Sequence, residues 1–267
     1  MKKQLTCTLL IAAIIRIGLA QDLKSSKELV LASGIEWTPL NPARGDNSPK
    51  AGNIWGDRAK EGATGFLVQF KKGFSSPPHI HNVTYRGIVL NGKVHNDDPE
   101  AANLWMPAGS YWIQPAGEAH ITSAAGDFNM AYIEIQDGPY LVKPTDQAFD
   151  NGERPINMEV SNMPWIRGDE ITWVKNKAVY MARLWNDSSS ELETTLVKLP
   201  AGFEGSIVSK ADDFKSVVIQ GTIKYESQQL EPGSYFGSKG NVSHQLATDG
   251  ESMIYIRSKG DFEITEQ

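Results

Sequence analysis

Residues 73–120 read GFSSPPHIHNVTYRGIVLNGKVHNDDPEAANLWMPAGSYWIQPAGEAH, and the rest of the chain is organised around this stretch. Three of the five histidines, His79, His81 and His120, fall within it. His79 and His81 are two positions apart, so on a β-strand both rings point to one face. His120 closes Pro115-Ala-Gly-Glu-Ala-His120, where proline and glycine mark a turn that delivers a third imidazole from a separate strand. Imidazole nitrogen suits zinc, iron, copper and nickel, whereas calcium and magnesium prefer oxygen ligands. His79, His81 and His120 are therefore candidate ligands of one divalent transition metal. Iron and zinc come first, with manganese, nickel and copper as alternatives.

Two gapped patterns in this stretch resemble those of the cupin superfamily of small β-barrels. Gly73, five residues, His79-Ile-His81, three residues, Tyr85, six residues and Gly92 match the first cupin motif. Gly109, five residues, Pro115-Ala-Gly117, two residues and His120 match the second. Tyr85 stands where the family usually has a glutamate ligand, and Ala124 stands where the second motif closes on asparagine. The resemblance thus implies a three-histidine site without the carboxylate. A neutral three-histidine shell leaves an ion its full charge, a stronger Lewis acid that attracts anionic or chelating ligands. Three protein ligands also leave open positions, the pattern of catalytic rather than structural sites.

Tyr85 shares strand parity with His79 and His81 and is the candidate catalytic residue. It could ligate, donate a hydrogen bond to a bound substrate, or fill the glutamate's space. Gln114 and Glu134 could support the ligands or supply a substitute oxygen, or be ordinary strand decoration, since outward strand positions are usually polar. His95 is left out. Across a two-residue Asn91-Gly92 hairpin turn of type I′ it pairs with Ile88, on the face opposite Tyr85. Trp105, Trp112, Trp165 and Trp173 read as packing residues.

Strand signals at 64–70, 85–90 and 131–135 are separated by turn formers, and no segment sustains a 3.6-residue period, so the fold is all-β. Residues 21–63 are rich in turn formers and read as a long surface loop with short strands, packed on the barrel or on a partner subunit. A linker at 142–167 separates two halves that repeat each other. Ile35-Glu-Trp37 is echoed by Ile171-Thr-Trp173, and Ile54-Trp-Gly-Asp57 by Leu184-Trp-Asn-Asp187. Gly73 and Gly92 are nineteen apart, as are Gly202 and Gly221. Gly109-Ser-Tyr111 leads to His120 as Gly233-Ser-Tyr235 leads to His244. A repeat of this length means two copies of one domain. With the resemblance, it implies two tandem cupin (double-stranded β-helix, jelly-roll) barrels, at 21–150 and 151–267. The glycine alignment sets Val208 opposite His79, Lys210 opposite His81 and Phe214 opposite Tyr85. Only His244 survives, so the second copy is read as having lost the metal.

Residues 1–20, MKKQLTCTLLIAAIIRIGLA, have two lysines, an apolar run and a small-residue end, a secretory leader cleaved after Ala20. Arg16 breaks the run below the roughly 20 apolar residues that span a bilayer. The expected address is periplasmic or secreted. The single cysteine, Cys7, lies in this leader, so the mature chain has no disulfide and no thiol chemistry. Without Lys2, Lys3 and Arg16 it carries 23 basic against 32 acidic residues, a net charge near −9. That balance argues against nucleic acid, whose phosphates need basic patches, and against a membrane surface. The expected partner is a small-molecule ligand or substrate. Family analogy also points to a homodimer, with 21–63 as an exchanged arm.

Two functions follow from the resemblance. One is a metal-dependent enzyme, dioxygenase-like or isomerase-like, acting on a small chelating organic anion. The other is a metal- or ligand-binding module, because the first barrel also looks like the zinc-holding cupin of ChrR-type anti-sigma factors and the whole chain like secreted two-cupin proteins.

Overall fold

The computed structural model describes residues 25–176 and 178–266, and the leader read at 1–20 lies outside them. The chain forms two tandem β-barrels, each built on a seven-stranded sheet. In the first barrel the sheet contains Lys50–Trp55, Thr64–Phe70, Tyr85–Asn91, Tyr111–Gln114 and Asn129–Ile135. Facing it are a three-stranded sheet, with Lys93–Asp97 between Ile121–Ala124 and Met106–Pro107, and the pair Ile80–His81 with Val142–Lys143. The second barrel repeats the plan with Leu192–Leu199, Asp213–Gln220, Tyr235–Lys239 and Ser252–Lys259 in its large sheet. Among the described residues no helix is long and apolar enough to cross a membrane.

The two large sheets pack face to face, so their strands are buried on both sides. Strand Tyr85–Asn91 shows how the sequence permits this. Tyr85 and Val89 face the first barrel's interior, while Ile88 and Leu90 face the second barrel. The resulting run Gly-Ile-Val-Leu is continuous rather than alternating in polarity, as a doubly buried strand requires. Leu67, Ile88 and Tyr132 meet Leu196, Val217 and Tyr255 in one apolar layer between the barrels. Burying each aliphatic side chain there contributes about 1.5–3 kcal/mol.

The division near residue 150 is crossed in both directions. Ser26–Val30, from the first half, adds an edge strand to the second barrel by pairing with Tyr235–Lys239. Ile156–Met158, from the second half, adds one to the first by pairing with Tyr111–Gln114. Each is followed by a 3-10 turn, Ala32–Gly34 or Val160–Asn162. The amides of Ala32 and Val160 donate to the hydroxyls of Ser234 and Ser110, both at 3.1 Å. Of the two seats expected for the N-terminal arm, the barrel or a partner subunit, strand Ser26–Val30 takes the chain's own second barrel.

Two details of the repeat and one turn differ from the sequence expectation. The structural counterpart of Trp37 is Trp165, which follows the matching exchanged strand and turn, and both pack between the barrels. Trp173 instead packs on Phe262 in the second barrel. Asn91-Gly92 is not a hairpin, because Tyr85–Asn91 and Lys93–Asp97 pair with other strands and belong to different sheets. Only Gly92 takes the positive φ that type I′ demands of both central residues. The chain turns a corner there, held by Asn129, whose Oδ1 accepts from Lys93 and Gly126. Finally, Ile207 pairs with His244 as His79 bridges His120. Ile207, not Val208, replaces His79, and strand parity puts Ser209, not Lys210, in place of His81. Phe214 does stand opposite Tyr85, since Phe214 pairs with Ser238 as Tyr85 pairs with Gln114.

Candidate metal centre

Two short strand segments and one turn bring the three histidines together. His79 and His120 exchange backbone hydrogen bonds, both at 3.0 Å, and His81 lies two residues further on, on the same face. The ring centroids are 5.0 Å apart for His79 and His81, 4.3 Å for His79 and His120, and 5.3 Å for His81 and His120. One ligand atom from each ring lies within 4.8 Å of the others.

Backbone carbonyls hold all three rings by the same nitrogen. Nδ1 of His79 bonds Pro77 at 3.0 Å, that of His81 bonds Leu141 at 3.1 Å, and that of His120 bonds Glu118 at 3.1 Å. A carbonyl oxygen only accepts, so each Nδ1 carries the proton and Nε2 is left with its lone pair. This is how metal-ligating histidines are oriented and their basicity tuned. Burial lowers all three pKa values: His79 below its usual range, His81 well below it, and His120 to about 3. Repulsion among the rings adds to the effect at His81 and His120. All three are therefore neutral at pH 7, the form that ligates. The donor set fits a divalent transition ion.

Tyr85 lies where its strand parity placed it. Its hydroxyl donates to Asn96 Oδ1 at 2.8 Å and lies 3.2 Å from His120 Nε2. Burial raises its pKa, so it is a neutral donor. Asn96 continues the network: its Oδ1 accepts from Thr122 at 2.7 Å, and its Nδ2 donates to Gln114 Oε1 at 2.9 Å. Gln114 Nε2 in turn donates to the Glu118 carbonyl that holds His120, at 3.3 Å. Gln114 thus acts on His120 through the backbone.

Glu134 does not join the centre. Ala131, Ile133 and Ile135 face the barrel interior, so the alternate residues Tyr132 and Glu134 face the other barrel. The Glu134 carboxylate accepts from Tyr132 and Tyr255, both at 2.8 Å, and from Gln136 at 2.7 Å. Arg257, at 3.3 Å, balances its charge and also pairs with Asp213. It is an anchor between the barrels. His95 also stays outside the cluster, with its ring nitrogen against Leu104, and its strand partner is Ser123 rather than Ile88.

A cavity of about 120 Å³ opens beside His79 and His81. Its walls are mainly apolar and include Val68, Phe70, Phe74 and Ile133. Trp112, expected only to pack, is one of the walls, and its ring fits because Gly87 has no Cβ, which would lie 2.1 Å from it. The 3-10 segment Pro42–Asn47 sits at the mouth and brings Arg44, stacked 5.6 Å from Phe74. Asn96, Tyr140 and Arg44 escape the motif spacing. Asn96 had a usable signal, a polar residue of opposite parity to His95 within a strand. Tyr140 and Arg44 come from irregular segments that carry no period.

Among the described residues the second barrel has no equivalent centre. His244 is fully buried, bonded to Tyr225 at 3.0 Å and Ser238 at 2.9 Å, and stacked on Phe214. Both of its ring nitrogens are used, and aromatic rings fill the space around it.

A protein family described as a domain of unknown function, DUF4437, matches residues 28–265. No curated protein matches the chain. Among solved structures, it is similar to a candidate dioxygenase from Nostoc punctiforme, at 15% identity and TM-score 0.66, covering 90% of this chain and 86% of that one. The salicylate 1,2-dioxygenase of Pseudoaminobacter salicylatoxidans, in adducts with gentisate, is similar at 14% identity and TM-score 0.56, with coverage of 91% and 86%. Hazelnut (Corylus avellana) vicilin is similar at 11% identity and TM-score 0.58, with coverage of 89% and 87%. At such identities the likeness establishes the fold alone, a pair of cupin-type β-barrels.

Proposed function

The chain belongs to the DUF4437 family, and on that premise we propose that it is a metal-dependent cupin enzyme, dioxygenase-like, acting on a small chelating organic molecule. The observation that carries this reading is the three-histidine cluster, neutral and fixed by carbonyls, open on one side to an apolar cavity. A divalent transition ion there would supply a Lewis-acidic centre with free positions for an oxygen-donor substrate and dioxygen. His79, His81 and His120 would hold it. Tyr85 is a neutral hydrogen-bond donor beside His120, the apolar walls exclude water, and Arg44 attracts an anion to the mouth. The dioxygenases among the structural neighbours support the oxygenase class.

The test is elemental analysis of protein purified from its own compartment without a metal-affinity step, paired with a dioxygen-uptake screen. We expect near-stoichiometric iron and uptake with a catechol-, diketone- or hydroxyacid-type substrate. Stoichiometric zinc without turnover moves the protein to the sensing or structural class of the ChrR cupins, and no metal overturns the reading. The secretory leader and the periplasmic or secreted address belong to the same proposal. Sequencing the N-terminus of the native protein should find Gln21, and an intact Met1 would remove the leader.

A further inference from the structure

Tyr140 belongs to neither motif. Its hydroxyl lies 3.1 Å from His81 Nε2, and its ring stacks on that imidazole at 4.3 Å with 20° between the planes. Because His81 Nδ1 is held by the Leu141 carbonyl, Nε2 is the atom an ion would take. It is also the single hydrogen-bond partner of the Tyr140 hydroxyl among the described residues. These two uses exclude each other, since one lone pair cannot both bind an ion and accept a hydrogen bond.

Tyr85 is not in the same position. When His120 Nε2 is taken, the Tyr85 hydroxyl keeps Asn96 as its acceptor. Loading the site therefore leaves one phenol, that of Tyr140, without a partner in a cavity with mainly apolar walls. A buried tyrosine hydroxyl needs an acceptor. Arg44 bears on which acceptor fits, as a cation in the cavity wall that stacks on Phe74 and makes no ion pair among the described residues.

We propose that Tyr140 is the specificity residue of the loaded site: its hydroxyl, released from His81 by the ion, donates to the anionic oxygen of a small organic acid admitted past Arg44. This rests on the metal-binding reading above. Ion and acid are then coupled, each raising the other's affinity by the same factor. A hydrogen bond to a charged oxygen sets that factor at about tenfold or more.

The test titrates the metal-free full-length mature protein with Co2+, with and without saturating acetate, following the visible cobalt spectrum. Wild type should bind Co2+ about tenfold more tightly in acetate. Tyr140→Phe, which has no hydrogen bond to give up, should bind Co2+ at least as tightly as wild type without acetate. In this variant the coupling should shrink to within twofold. Arg44→Gln should weaken acetate binding without lowering cobalt affinity in the absence of acetate, since it removes a positive charge that acts on His79. Cobalt uptake by wild type with no acetate coupling overturns the proposal without touching the metal reading, and needs no variant. Undiminished coupling in Tyr140→Phe also overturns it. Failure of wild type to take up cobalt, seen before any acetate is added, overturns the metal reading and this proposal together.

Discussion

Individual side chains divide the two barrels into one with a candidate centre and one with a filled core. His79→Ala, His81→Ala and His120→Ala should each reduce metal content at least tenfold by elemental analysis. His244→Ala should leave it unchanged, because that imidazole already spends both nitrogens on Tyr225 and Ser238. Asn96→Leu should weaken metal affinity by less than the roughly 10–100-fold typical of a direct ligand partner, because Asn96 reaches His120 only through Tyr85 and Gln114. The histidines also make the metal-free protein acid-sensitive. Burial holds His120 to about 3 and His244 to about 4, against 6.5 for an unperturbed ring. As pH falls below 6.5 the unfolded chain takes up protons that the folded chain refuses, so stability is full above 6.5 and declines toward pH 4. The slope is about 1.4 kcal/mol per pH unit for each such ring. Thermal melts of metal-free protein should therefore change little between pH 7.5 and 6.5 and fall from there to pH 5, and a flat profile below 6.5 would contradict the burial of these rings. Of this centre, the histidines and Tyr85 were legible because a two-residue period fixes which side chains share a face. Glu134 misleads for the same reason: the strand is buried on both faces, so a charge within it need not point into its own barrel.

Strands and their neighbours show where spacing stops being informative. Asn91-Gly92 has hairpin chemistry, yet a barrel wall must fold over somewhere, and a corner uses the same glycine. Gly202 and Gly221 repeat the interval of Gly73 and Gly92, but one additional residue between Ile207 and Phe214 shifts the register inside it. Sequence intervals conserve turns, not the residues between them. Between the barrels, Glu134 sits in a network with Arg257, Tyr132, Tyr255 and Gln136. Arg257→Met should cost about 3–5 kcal/mol, because it leaves a buried carboxylate without its cation. Adding Glu134→Gln should recover at least about 1 kcal/mol, since a neutral amide still accepts from the tyrosines. Denaturant unfolding of the single and double variants measures both. A double variant no more stable than Arg257→Met would mean that the charge is not what matters there.

At the scale of the whole molecule, the all-β class and the two-barrel plan were legible from repeat and motif. The reciprocal strands were not, because five-residue and three-residue edge strands in turn-rich segments carry too little pattern. They make the barrels one cooperative unit. Cleaving the exposed loop near Gly152 should yield two fragments that stay together through gel filtration, each holding a strand of the other. Deleting residues 21–31 should lower the melting temperature of the entire chain rather than of one half.

The same clasp sets an order on how the protein is made. Glu28 bonds the Tyr235 hydroxyl across 207 positions of sequence. During synthesis the first described strand emerges early but has no seat until the second barrel's sheet exists. Its edge and the matching edge on the second barrel stay open until almost the last residue leaves the ribosome. A chain stalled or truncated before residue 235 would keep a bare N-terminal strand available to any neighbouring chain.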